Sequence, residues 1–129
     1  FHTEETENMG KKRITQYPNL VFAEAVLAMI NAPSEEVKVK VRESLFLLNA
    51  NGTNNDHLQG RIEMTHRDKI WEMKFKDKSK TEWRILFKKI SHKTNPPQYA
   101  LLHMFRKTTK PITKRDLDTA ERVAKREGF

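Results

Sequence analysis

The chain of 129 residues contains no cysteine, so disulfides, thiolate nucleophiles and cysteine-ligated metals are excluded. Glycine is also scarce: only 4 occur and none are clustered. That leaves no glycine-rich loop to cradle a nucleotide's phosphates. The 5 histidines (His2, His57, His66, His92 and His103) are scattered without metal-ligand spacing, and no HExxH pattern occurs. Long apolar runs are missing too. The longest, around Leu20 to Ile30, is interrupted by Glu24 and falls short of the ~20 residues that span a bilayer. Residues 1–16 are polar and charged and show no leader-peptide pattern. The expectation is a protein with no membrane association, no metal and no cofactor. The lack of cysteine fits a reducing, cytoplasmic setting.

Positive charge is what the chain has in excess. Lys and Arg number 25 against 17 Asp and Glu, a net of +8. Such a surplus favours polyanionic partners. Its distribution is uneven: residues 1–8 hold Glu4, Glu5 and Glu7 and no basic side chain, whereas residues 61–129 carry most of the cations. The length suits one domain, expected over residues 17–129, with residues 1–16 as a flexible arm.

Along that domain the hydrophobic period changes once. Residues 20–31 are expected to form a first helix, with apolar residues on more than one face. Pro33-Ser34-Glu35-Glu36 then reads as a helix start, with acids in the first turn. Val37, Val41, Leu45 and Leu48 continue it at helical spacing, and Asn51-Gly52 ends it. After a turn-rich loop over 52–60 the period becomes two. Trp71, Met73 and Phe75 alternate with Glu72, Lys74 and Lys76, and Trp83, Ile85 and Phe87 alternate with Arg84, Leu86 and Lys88. Residues 61–65 read as a weaker strand. Residues 99–105 are apolar on both faces, as a central strand should be. Thr113, with Asp116 three residues on, caps a last helix whose narrow stripe is Leu117, Ala120 and Ala124. The predicted class is α+β: a helical hairpin on a twisted antiparallel sheet of three to four strands, plus a C-terminal helix.

Strand alternation then suggests a site. If the aromatic sides pack on helices, Glu72, Lys74 and Arg84 line the open face of the sheet. His103 and Leu101 are expected to share one side of the last strand, with Arg106 and Lys107 at its exit. This collection matches the needs of metal-free RNA cleavage. A 2′-hydroxyl must lose a proton, a phosphorane must be stabilised and a 5′-oxygen must gain a proton. Arg84 and Lys107 are the candidates for holding phosphate charge, and Glu72 or His103 for taking the proton. Each residue also has a plainer reading. A charged sheet face is often only solvated, His103 can be a structural histidine, Trp71 and Trp83 can be core aromatics, and Glu72 can simply pair across strands.

The order IWEMKF, WRILF, LLHMFRKTTK and DLDTAERVAKR from Ile70 onward resembles the phage-derived HigB-like branch of the RelE/ParE toxin superfamily. That branch reads W-E-L-R, then Y-R, then L-L-H-x-F-x-K-K-T, a proline and an E-I-x-x-A helix. The likeness is architectural over residues 20–127 and specific over 70–127. It implies a RelE-like fold, ribosome-dependent mRNA cleavage without metal, and an antitoxin partner of the helix-turn-helix kind. By position, Arg84 matches the arginine of Y-R, Glu72 the carboxylate of W-E and Lys74 the following arginine. His103, Phe105 and Lys107 match the L-L-H-x-F-x-K segment. Expected catalytic residues are therefore Arg84, Lys107, Lys74, Glu72 and His103, with Arg106, Lys110, Lys76 and Lys88 as RNA contacts. Thr108 replaces the second lysine, Trp83 replaces the tyrosine, and the proline is displaced to Pro111. Two alternatives stay open: a ParE-like binding inhibitor of DNA gyrase, and an inactive member that only binds nucleic acid or antitoxin.

Overall fold

Residues Leu20–Ala23 (LVFA) are buried at every position, which a strand flanked on both faces requires. The computed structural model describes residues 3–5, 11–14, 16–67, 69–91, 97–107 and 112–129, with backbone alone for 3–5, 11–14 and Ser91. In chain order the elements are β1 (Thr3–Glu5), β2 (Lys11–Ile14), β3 (Leu20–Ala23), α1 (Glu24–Met29), α2 (Glu35–Asn51), β4 (Ile62–Met64), β5 (Trp71–Lys76), β6 (Glu82–Ser91), β7 (Gln98–Lys107) and α3 (Lys114–Glu127). A short 3-10 turn at Asp56–Leu58 lies between α2 and β4.

The class is α+β, as expected, but the sheet is larger and mixed. Its strand order is β1-β2-β3-β7-β6-β5-β4. All pairings are antiparallel except β3 with β7, which run parallel with Leu20 opposite Tyr99 and Phe22 opposite Leu101. The helix expected over 20–31 is therefore a strand followed by the six-residue α1. Its apolar residues covered more than one helical face because Leu20, Val21 and Phe22 belong to a doubly buried strand. The segment 1–16, expected as a loose arm, contributes backbone pairing through β1 and β2 at the sheet's edge.

The second helix follows its sequence signals closely. The Ser34 hydroxyl accepts from Val37 N at the start of α2. Val37, Val41, Leu45 and Leu48 are completely buried in the one core that also holds Met73, Phe75, Trp83 and Ile85. Gly52 closes the helix with φ 68°, and its N–H donates to Leu48 O. The same glycine lies against Tyr99, a β7 residue whose hydroxyl accepts from Thr53 N at 3.1 Å. A Cβ at Gly52 would meet that hydroxyl at 2.6 Å. The end of α2 is thus locked to the central strand by a contact only glycine permits.

Gly52→Ala combines a backbone region closed to alanine with this collision. It is expected to destabilise the fold by roughly 2–4 kcal/mol. Urea unfolding should show a lower midpoint with an unchanged slope.

Candidate active site

Cross-strand partners share a face of a sheet, so the registers decide which side chains meet. Lys74 lies opposite Arg84, and Lys76 opposite Glu82. Arg84 lies opposite Phe105, Glu82 opposite Lys107, and Leu86 opposite His103. On the β4 side, Glu63 lies opposite Glu72. One face therefore gathers Glu63, Glu72, Lys74, Glu82, Arg84, His103, Phe105 and Lys107. The other face carries Trp71, Met73, Phe75, Trp83, Ile85 and Phe87. Helix α3 lies across the charged face, with His103 at its N-terminal end and Lys88 at its C-terminal end.

The expectation that Arg84 and Glu72 line an open surface does not hold. Arg84 is 4% exposed and Glu72 7%. The guanidinium is held by partners on its own strand and on β5. Its Nη1 donates to Trp83 O at 3.2 Å and its Nη2 to Glu82 Oε1 at 3.2 Å. Its Nε is 3.3 Å from Glu72 Oε1, yet that N–H is not aimed at the carboxylate and makes no hydrogen bond among the described residues. We regard this last contact as a Coulombic pair only. Lys74 is half-buried and pairs with Glu63 at 2.8 Å. Lys107 is half-buried and, among the described residues, has no ion-pair partner. The patch is therefore not cationic with one carboxylate, as expected. Three glutamates thread it.

A second correction concerns Leu101. It does not share a side with His103, because the β6–β7 register shifts between Leu86 and Phe87. The extra residue, Leu102, turns Leu101 to the opposite face beside Phe87.

Burial raises all three glutamates, but only for Glu72 does it prevail. It pushes the Glu72 carboxyl above its ordinary range, opposed by the nearby Arg84 charge and reinforced by Glu63. Glu63 is held below that range, first by its hydrogen bond from Lys74. Glu82 is held low mainly by the hydrogen bond from Arg84. Lys107 also acts on all three, so this is one electrostatic unit. Within it one carboxyl is pushed up and two are held down.

His103 is supported from α3. The Thr113 hydroxyl caps the helix by accepting from Asp116 N, and it donates to Asp116 Oδ2 at 2.6 Å. The other oxygen, Oδ1, lies 3.2 Å from His103 Nε2. The ring stacks on Phe105 with centroids 4.9 Å apart. A carboxylate on one ring nitrogen fixes the orientation of an imidazole and leaves Nδ1 as its other proton-carrying atom.

The remaining expected residues are dispersed. Arg106 lies opposite Trp83, on the far face of the sheet. Lys76 is on the site's face at the β5–β6 hairpin and is exposed. Lys88 shares the face but donates to Phe129 O at 3.3 Å, under the end of α3. It is four residues along β6 from Arg84, about 13 Å away. Lys110 lies outside the described residues, as do Thr108 and Pro111. Sequence reasoning missed Glu63, Glu82 and Asp116 as site residues. Asp116 had a visible signal, its place in the capping box, but that signal speaks of the helix and not of His103. Among the described residues no group of three His, Asp or Glu is placed to hold a metal ion.

Carboxyl titration followed by NMR should find Glu72 above, and Glu63 and Glu82 below, their ordinary values. In Arg84→Gln, Glu82 should return toward the usual range and Glu72 should climb further, since each loses a lowering influence. The linkage has opposite signs. The folded state favours protonated Glu72, so its contribution to stability is complete below the unfolded pKa and is lost as pH rises through the folded one. The contributions of Glu63 and Glu82 are present above their unfolded pKa and are lost as pH falls through the folded ones.

The family profile described as Phage derived protein Gp49-like (DUF891) matches residues 28–125. That span runs from α1 through α2, every strand of the charged face and nearly all of α3. No curated protein and no solved structure matches the chain. With most of its length and the whole charged face inside the matched span, the chain belongs to the phage-derived Gp49-like family, a family of RelE/HigB-type toxins.

Proposed function

We propose that the protein is the toxin of a toxin–antitoxin pair and that it cuts mRNA on the ribosome by metal-independent chemistry. The observation that carries this reading is the buried Arg84, flanked by Lys107, which has no ion-pair partner among the described residues, with Glu72 and the His103–Asp116 pair on the same face. A DNA gyrase inhibitor needs a contact surface and has no use for this arrangement.

In the proposed reaction the 2′-oxygen attacks the adjacent phosphorus and the bond from phosphorus to the 5′-oxygen breaks. The products are a 2′,3′-cyclic phosphate and a free 5′-hydroxyl. Glu72 takes the 2′-hydroxyl proton, and its raised pKa makes it a better base than an ordinary carboxylate. His103, oriented by Asp116, returns a proton to the leaving oxygen. Arg84 and Lys107 offset the charge that builds on the non-bridging oxygens, and Lys74 holds Glu63 away from Glu72. Because these side chains supply the charge, the cleavage should persist in EDTA. The antitoxin, of helix-turn-helix type, would bind the toxin in the cytoplasm and restrain it.

Purified protein added to translating ribosomes should cut a defined mRNA within the ribosome-bound stretch. Arg84→Gln should lower the rate on the order of 100–1,000-fold, with antitoxin binding retained. Glu72→Gln should remove the limb of the pH–rate profile that rises with pH through a carboxyl group. Intact mRNA under conditions where the protein still stops growth would sink the nuclease reading and make DNA supercoiling the next assay.

A further inference from the structure

The outer surface of α3 sorts its charges by edge. At 3.6 residues per turn, Arg115, Arg122 and Arg126 fall within about 40° of one another around the helix axis. They lie opposite the buried stripe of Leu117, Ala120 and Ala124. The rise per residue strings them along about 16 Å. The helix's acids lie off this line, with Asp118 at its border. Asp118 and Glu121 both bind Arg67 Nη1, at 3.0 and 2.9 Å, and Asp116 is engaged by His103 and Thr113. Arg67 thus draws two carboxylates to one edge of α3. The arginines on the other edge have no ion-pair partner among the described residues. Thr119 sits within the stripe. Its hydroxyl donates to Arg115 O and accepts from Arg122 Nη2 at 3.3 Å, which holds that guanidinium in place before any ligand arrives. A polar hollow formed by Lys114, Arg115, Asp118, Thr119 and Arg122 opens there.

We propose that this arginine stripe docks the sugar–phosphate backbone of structured RNA. It would hold the toxin on the ribosome's own RNA while the sheet face works on the messenger. The inference rests on the mRNA-cleavage reading for the identity of that RNA. Three observations select RNA backbone over a protein partner. All three stripe residues are arginines, whose planar forks suit phosphate. Among the described residues the large exposed apolar side chains are Val39, Phe46 and Met64, none of them on α3, so the stripe lacks the anchors on which protein interfaces centre. The stripe also begins at Arg115, next to the Asp116 that touches His103, so its occupant lies beside the site and not across the molecule. A straight, rigid row of guanidinium groups suits a helical RNA backbone, which proteins read by shape and phosphate and not by sequence.

The test compares native protein with R115Q/R122Q/R126Q and with R42Q/K78Q/K80Q, which loses the same charge from exposed positions elsewhere. The readouts are co-sedimentation with ribosomes and fluorescence anisotropy with a labelled RNA hairpin duplex. The stripe variant should bind ribosomes and hairpin on the order of tenfold or more weakly, with the slope of log affinity against log salt reduced by about 2–3. Its melting temperature should be unchanged, and the control variant should bind nearly as the native protein does. Native-like ribosome and hairpin binding by the stripe variant overturns the inference, as does loss of antitoxin binding with RNA binding intact. Failure of the native protein to bind either RNA also overturns it. The two readings separate cleanly. Native protein that cuts mRNA while the stripe variant still binds leaves the nuclease standing without the stripe. Stripe-dependent binding to both RNAs without any mRNA cleavage leaves the stripe standing without the nuclease.

Discussion

The β6–β7 ladder is the constraint on which the rest depends. β7 is the central strand, paired antiparallel with β6 and parallel with β3. The first of its two register shifts falls between Leu86 and Phe87. On the hairpin side of the shift, the alternation sends Arg84, His103, Phe105 and Lys107 to one face. Beyond it, the added residue lets Leu101 and Tyr99 turn to the opposite face beside Phe87, where Tyr99 meets the end of α2. A regular ladder cannot present His103 to α3 and Leu101 to the other core layer from the same strand, because side chains two apart share a face. One inserted residue satisfies both needs.

Burying Arg84 follows from that placement. A guanidinium taken out of water loses hydration that its new partners must replace. Here the replacements are a main-chain carbonyl and two glutamates, and among the described residues the Nε–H has no hydrogen-bond acceptor. Removing one partner of a buried pair of this kind costs about 3–5 kcal/mol in general, so the arrangement is demanding as well as charged. The same burial raises Glu72. The Glu72 carboxyl thus answers both to its own burial and to the Arg84 charge, and neither residue can be altered alone.

Helix α3 joins stability to the site through a single carboxylate. Asp116 closes the helix entry with Thr113 and steadies His103 with its other oxygen. Further along, Arg67 takes up Asp118 and Glu121, which secures the helix to the turn before β5 and engages two of the helix's carboxylates. The packing of α3 and the electrostatics of its outer face therefore have a common origin. That is why a helix with so narrow an apolar stripe can be firmly seated and still present a row of arginines.

Much of this was legible in order. Ser34, Gly52 and Thr113 marked helix ends because capping is local: the side chain or the missing Cβ acts within one turn. Alternation in Trp71–Lys76 and Glu82–Lys88 marked two strands because a half-buried strand writes its facing into every second residue. It also named the residues that share the charged face, Arg84, Glu72 and Lys74 among them. Leu20–Ala23 misled because a strand covered on both faces has no alternation, and a short apolar run fits a helix equally well. The facing of Leu101 was hidden because a bulge has no local signature here. The depth of Arg84, the coupling of Glu72 to its neighbours and the meeting of Asp116 with His103 were set by tertiary structure alone. Each depends on a distance between segments far apart in the chain, and periodicity reports a residue's direction but not what it meets.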